Sequence, residues 1–229
     1  YGGLGHNVFN PAMVGFALLI LSFPLAMSQW PVIDSTGPDI AVLIQIKLGL
    51  MSVPDGITAA TPLDIVKFRG SQTIDEVWLP KYGFNSLAGV GWGWINVAFL
   101  LGGLYLLKNR VIQYHAPASL LLTLTLLSIF FYDSGSSDSL GSPLLHLFSC
   151  STMFAAFFIV TDPVSSPSGT AGQIIFGAGV GIITFIIRTA GAYPEGIAFA
   201  ILLMNAAAPL IDRLRLAPPA LSSLSGRGK

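Results

Sequence analysis

Apolar positions along this chain gather into long unbroken runs, and polar positions are confined to short turns and one extended stretch. A membrane helix needs roughly 20 mainly apolar residues. Runs of about that length cover about 10–30, 86–107, 116–132, 143–161, 173–190 and 195–211. They predict an all-α polytopic membrane protein with about six transmembrane helices inside a membrane domain of residues 1–212. Residues 31–85 form a polar connection punctuated by Gly and Pro, too long for a simple linker and therefore expected to be functional. Within it, Ile40 to Met51 is apolar but too short to span, and is predicted to lie at the interface or to cover the bundle. Residues 213–229 read as a basic tail.

Composition agrees with burial in lipid. The 229 residues are 53% hydrophobic and 10% charged, with a mean hydropathy of +0.73, against about 25% charged in soluble domains. Eleven basic residues balance eleven acidic ones, so nothing points to a nucleic-acid partner. The single cysteine, Cys150, supplies neither an intrachain disulfide nor the roughly four thiolates of an iron–sulfur cluster. Redox chemistry in these residues would therefore use an organic cofactor. The chain opens at Tyr1 without Met or a basic leader, and residues upstream are expected to be missing.

Short loops carry the orientation signal, because Lys and Arg accumulate on the cytoplasmic side. The turn with Lys108, Arg110 and His115 is basic, as is the tail with Arg213, Arg215, Arg227 and Lys229, whereas the turns around Asp133, Asp138 and Glu195 are not. The 31–85 loop is thereby expected outside. Arg188, near the outer end of its helix, either snorkels to the surface or faces a buried partner.

Several short segments carry candidate chemistry. Thr61-Pro62-Leu63-Asp64 reads as a helix start, with Thr61 as N-cap, Pro62 at the first helical position and Asp64 set to complete a capping box. The same Thr61 hydroxyl is also placed to carry a phosphate ester, at a helix end whose free N–H groups favour an anion. Asn7 and Asn10 are three residues apart, so their amides are able to converge, although Asn10-Pro11 also reads as a plain capped helix start. The irregular backbone expected for Tyr1 to Ala12 at a membrane boundary belongs in a cavity or inside protein. Asp162-Pro163 reads as a helix stop, yet a carboxylate at the membrane boundary beside Thr161 is a functional candidate by default. His6, His115 and His146 have no second ligand at metal spacing. Gly177, Gly179 and Gly181 suit close helix packing and would also admit a flat ring.

The residues Asp55-Gly56-Ile57-Thr58-Ala59-Ala60-Thr61 resemble the covalent flavin-attachment motif of the RnfD/NqrB family, Asp-Gly-x-Ser/Thr-x-Ala-Thr, whose last Thr is esterified to FMN by a dedicated flavin transferase. Three further stretches resemble that family. Gly2-Gly3-Leu4-Gly5 with Asn7 and Asn10-Pro11-Ala12 is similar to a signature whose asparagines lie at a non-covalent riboflavin site in the NqrB type, and Thr161-Asp162-Pro163-Val164 matches a second. Arg188 followed by Gly191-Ala-Tyr-Pro-Glu-Gly196 is like the turn that leads into the family's last helix. The likeness runs from Tyr1 through Asp212 and is closer to the RnfD type, also called RsxD.

The resemblance implies a bundle of inverted repeats similar to urea and ammonium transporters, with further helices ahead of residue 1. It implies a component of the Rnf complex of the bacterial inner membrane, which moves electrons between ferredoxin and NAD and couples them to sodium or proton transport. Thr61 would carry FMN on the periplasmic side, with Asp55, Gly56 and Thr58 shaping the turn offered to the transferase. Asn7, Asn10, Thr161 and Asp162 would serve a second flavin, riboflavin, or a cation path. The implied partners are the transferase, the lipid bilayer and the other Rnf subunits: the RnfG-type flavin protein, the RnfA- and RnfE-type iron–sulfur proteins of the membrane, and the RnfC- and RnfB-type proteins that face NADH and ferredoxin. Two other readings stay open: a flavin-free channel with Asp162 and Arg188 as pore groups, and a quinone-reducing component of NqrB type.

Overall fold

The computed structural model describes residues 7–31, 40–52, 58–77, 88–89, 91–133 and 136–215. Asp55 and Gly56, the glycine-rich start through His6 and the tail beyond Arg215 lie outside them. The described chain is helical apart from a single two-residue antiparallel ladder.

Helix α1 (Pro11–Ser22) starts as the sequence requires: the Asn10 side chain accepts from the N–H groups of Ala12 and Met13, and Pro11 stands where its missing N–H is no loss. The first apolar run does not continue as one helix. It stops at Phe23 and restarts as α2 (Pro24–Met27), because Pro24 has no N–H to offer and restricts the residue before it. Strand β1 (Trp30–Pro31) then pairs with β2 (Thr58–Ala59), Trp30 opposite Ala59 and Pro31 opposite Thr58. This ladder returns the long loop to the end of α1. Between the two strands lies α3 (Ile40–Lys47), which buries no residue; of the two readings open for 40–51, at the interface or covering the bundle, this is not the second.

Helix α4 (Pro62–Lys67) begins at Thr61, and α5 (Trp92–Lys108) and α6 (His115–Phe130) follow. The run 143–161, expected as one span, is divided into α7 (Pro143–Phe148) and α8 (Thr152–Phe154), the latter running on into a π-helical turn (Ala155–Ile159). The break falls at Ser149-Cys150-Ser151, where Cys150 takes a left-handed φ of 50°. Its cause is tertiary. Asn96, fully buried on α5, donates to the carbonyls of Trp92, Phe148 and Cys150 and accepts from Met153 N–H. Backbone groups freed by the break are thus re-satisfied inside protein, as lipid demands.

The bundle closes with α9 (Thr170–Ala190) and α10 (Ile197–Arg215). Helix α10 runs on through Asp212 and Arg213. Helix α9 packs most closely on α6, because Gly177 and Gly181 leave the α6 backbone room: a Cβ on Gly177 would sit 2.2 Å from the Ala116 carbonyl oxygen. A common core of Leu120, Phe157, Val160, Phe176, Val180 and Ile201 fills the space between these elements. Among the described residues, α9 is the one helix long and apolar enough to cross a membrane; α1, α5 and α6 are shorter apolar helices.

Candidate functional site

Thr61 forms the capping box expected from its sequence. Its N–H donates to Asp64 Oδ2 at 2.8 Å, and its Oγ accepts from Asp64 N–H at 3.2 Å. The Thr61 hydroxyl also donates to Asp64 Oδ2 at 2.6 Å. Thr61 is only 4% exposed. Three contacts dock this segment on the bundle. Leu63 and Val66 pack on Leu145 and Cys150. Lys67 Nζ donates to the carbonyls of Ile187, Arg188 and Tyr193, each at 3.1 Å, closing the C-terminal end of α9. Arg69 donates to the carbonyls of Ser137 and Ser139. Burial lowers the Lys67 ammonium from its ordinary 10.5, with nearby Asp64 acting in the opposite direction.

Thr61 and Asp64 border a cavity of about 440 Å³. Its walls are mostly apolar and aromatic, with Trp30, Trp92, Phe99, Phe154 and Tyr193 among them and Glu195 as the other carboxylate. Trp30 and Trp92 meet edge to face, their ring centroids 5.5 Å apart. The volume lies in the range of small-molecule and cofactor sites, which are typically apolar with a few placed polar groups. Glu195 is fixed in that wall: Oε1 accepts from Arg188 Nη2 at 2.9 Å, and Oε2 from Ser151 N–H at 3.1 Å. The Arg188 side chain is 1% exposed and also donates to the His146 carbonyl and the Thr152 hydroxyl. Of the two readings open for Arg188, the buried partner is the one found.

At the other end of the same helices lies a second cavity, of about 540 Å³, bordered by Asn10, Gln113, Thr161, Asp162, Ser166 and Gln173. Asn10 and Asp162, far apart in sequence, meet here: Asn10 Nδ2 donates to Asp162 Oδ2 at 3.1 Å. Asp162 accepts also from Ser165 Oγ at 2.8 Å and Val164 N–H at 3.1 Å. Asn205, from the middle of α10, accepts from Asn10 N–H and donates to the Ser165 carbonyl. Thr161 turns its hydroxyl back to the Phe157 carbonyl while lining the cavity. Gln173 Oε1 is buried with no hydrogen-bond partner among the described residues. Asn7 is half-buried and is not part of this lining.

The first cavity draws on the later part of α1, the start of α5 and the 193–195 turn that follows α9, and the second on Asn10 at the start of α1, the 111–113 turn that follows α5 and Gln173 near the start of α9. Their linings adjoin where Phe154 of the first cavity and Phe158 of the second stack with centroids 5.6 Å apart, with Phe99 against both.

Sequence reasoning overlooked Trp30, Trp92, Tyr193, Glu195, Gln173 and Asn205 as site residues. Glu195 left a trace, since Arg188 called for a partner and Glu195 follows seven residues later. The aromatic residues left none, as each is ordinary at a membrane boundary. Of the attachment motif, Thr58 is described in β2, while Asp55 and Gly56 lie outside the described residues.

The model of the NQR2, RnfD, RnfE family matches residues 1–218. The D-type subunit of the ion-translocating oxidoreductase complex from Pseudomonas paraeruginosa is 50% identical over 212 residues, covering 93% of this chain and 61% of the relative. The protein of the same name from Cellvibrio japonicus is 49% identical, covering 93% and 62%. That from Klebsiella pneumoniae is 44% identical, covering 93% and 65%. The chain thus spans about three fifths of the length of the curated relatives it matches. By the extent of the family match and the identity to these relatives, the chain belongs to the NQR2, RnfD, RnfE family.

Proposed function

We propose that the chain is the flavin-bearing membrane part of an Rnf-type ion-translocating oxidoreductase, with FMN esterified to Thr61 at the outer end of the bundle. The observation that carries this reading is the position of the Thr61 hydroxyl on the border of an aromatic-lined cavity of about 440 Å³. The residues fit such a group: a hydroxyl to anchor it, flat apolar walls, and the fixed Glu195 carboxylate at the margin. A flavin supplies reversible electron exchange and the protein supplies orientation and surroundings. Thr61 is an anchor and takes no part in electron transfer. Trp30, Trp92, Phe99 and Phe154 exclude water, and the Arg188 and Glu195 pair holds the 191–196 turn against Ser151.

The second cavity is proposed to hold riboflavin at the inner end. The unpartnered Gln173 Oε1, the Thr161 hydroxyl and the Asp162 carboxylate suit a hydroxyl-rich chain. The proposed setting is the bacterial inner membrane with Thr61 on the periplasmic side, and the proposed partners are the remaining Rnf subunits and a flavin transferase. Coupling to sodium or proton movement belongs to the assembled complex.

The test is the mass of the peptide containing Thr61 from protein made in membranes with an active transferase, together with flavin fluorescence after denaturing electrophoresis. A gain of FMN less one water, lost in Thr61→Val, is expected. An unmodified peptide, with transport surviving Thr61→Val, would leave the channel reading in its place.

A further inference from the structure

We propose that Asp64 is the proton acceptor for the Thr61 hydroxyl when that residue is esterified, so that the base for the attachment step is built into this chain. The inference rests on the flavin reading above. A threonine hydroxyl is a weak nucleophile at its own pKa and requires an adjacent base. The 2.6 Å separation of Thr61 Oγ and Asp64 Oδ2 is within the reach of a general base. The carboxylate is also fixed in orientation, since the same oxygen accepts from Thr61 N–H and the Asp64 N–H returns to Thr61 Oγ. Lys67, the basic residue of the same short helix, directs its ammonium to three carbonyls and leaves Asp64 to Thr61. Thr61 and Asp64 both line the same cavity.

Joining a hydroxyl to a flavin phosphate requires an activated phosphoryl group, so the co-reactant is a flavin nucleotide held as a phosphoanhydride. The Thr61 Oγ–P bond forms and the anhydride P–O bond breaks. The departing phosphate takes the bonding pair, and the hydroxyl proton passes to the Asp64 carboxylate and on to the departing phosphate or solvent. No oxidation or reduction occurs in this step.

Capping alone accounts for the same contacts, but the two roles differ in which residues suffice at position 64. Glu and Gln both complete a capping box at that position, and only Glu carries a base. The full chain is therefore made with a flavin transferase and flavin adenine dinucleotide, and the rate of mass gain on the Thr61 peptide is followed beside thermal unfolding in detergent. Asp64→Glu is expected to load within about tenfold of the parent. Asp64→Gln is expected to load at least about 100-fold more slowly while unfolding at the same temperature as Asp64→Glu. Asp64→Asn, nearly the same shape as the parent side chain, gives the second base-free variant and the same loss. Equal rates for Asp64→Glu and Asp64→Gln, whether fast or slow, overturn the proposal and leave Asp64 a cap. A parent chain that takes up no flavin beside an active transferase defeats the flavin reading itself, a result distinct from either.

Discussion

Lys67 and Arg188 meet at the end of α9, where the lysine ammonium donates to the arginine carbonyl at 3.1 Å and to the carbonyls of Ile187 and Tyr193 at the same distance. One side chain from the long loop thus terminates a bundle helix and fixes Thr61 over its cavity. Replacing it by Met, which keeps the stem and removes the charge, is expected to cost about 1–2 kcal/mol and to speed proteolysis of residues 58–77. Thermal melting and limited digestion check both. The lowered Lys67 binds its proton less tightly folded than unfolded. Its linkage therefore makes stability rise with pH through the window just below 10.5, a slope expected to vanish in Lys67→Met.

The Arg188 and Glu195 pair gives a second prediction. Glu195→Ala leaves a guanidinium that is 1% exposed without its counter-charge, which is expected to cost about 3–5 kcal/mol. Arg188→Met combined with Glu195→Ala removes both charges and is expected to recover most of that loss. Melting temperatures of the single and double variants form the cycle, and simple additivity would count against a coupled pair.

At the second cavity, Asp162→Ala removes the acceptor for Asn10, Ser165 and Val164 together. A loss of about 3 kcal/mol is expected, as hydrogen bonds to a charged group are the stronger kind. Hydrogen exchange is expected to quicken at the start of α1 and in the 162–166 turn, with the 58–67 segment unchanged. Exchange that quickens equally at both ends would contradict two separate sites.

Two glycines are expected to respond in opposite ways to Ala. At Gly177 the new Cβ meets the Ala116 carbonyl oxygen at 2.2 Å, so α9 and α6 have to part, costing about 1–3 kcal/mol. At Gly15, within α1, nothing lies within 4 Å, and the same change is expected to stabilise by about 0.5–1 kcal/mol. Unfolding in detergent ranks the two.

These outcomes also mark what was legible in the residues alone. Thr61-Pro62-Leu63-Asp64 folds as its local chemistry dictates, and so does Asn10-Pro11, because a cap is decided within one turn. The break at Ser149-Cys150-Ser151 was not legible. Hydropathy reports what a segment is dissolved in, whereas the backbone direction there is set by Asn96 and Arg188, more than thirty residues away on either side. The meeting of Asn10 with Asp162 was legible only through the family resemblance that assigns both to one function, and the hydrogen bond with its link to Asn205 required the fold. The cavity beside Thr61 was illegible for the same reason, since its walls come from five separate stretches of chain.

Where Phe154 stacks on Phe158, a ring lining one cavity meets a ring lining the other, and Phe99 touches both. The two linings are therefore mechanically joined, because close-packed side chains transmit displacement: a ring at 154 or 158 that gives way to a group entering one cavity is expected to shift the wall of the other.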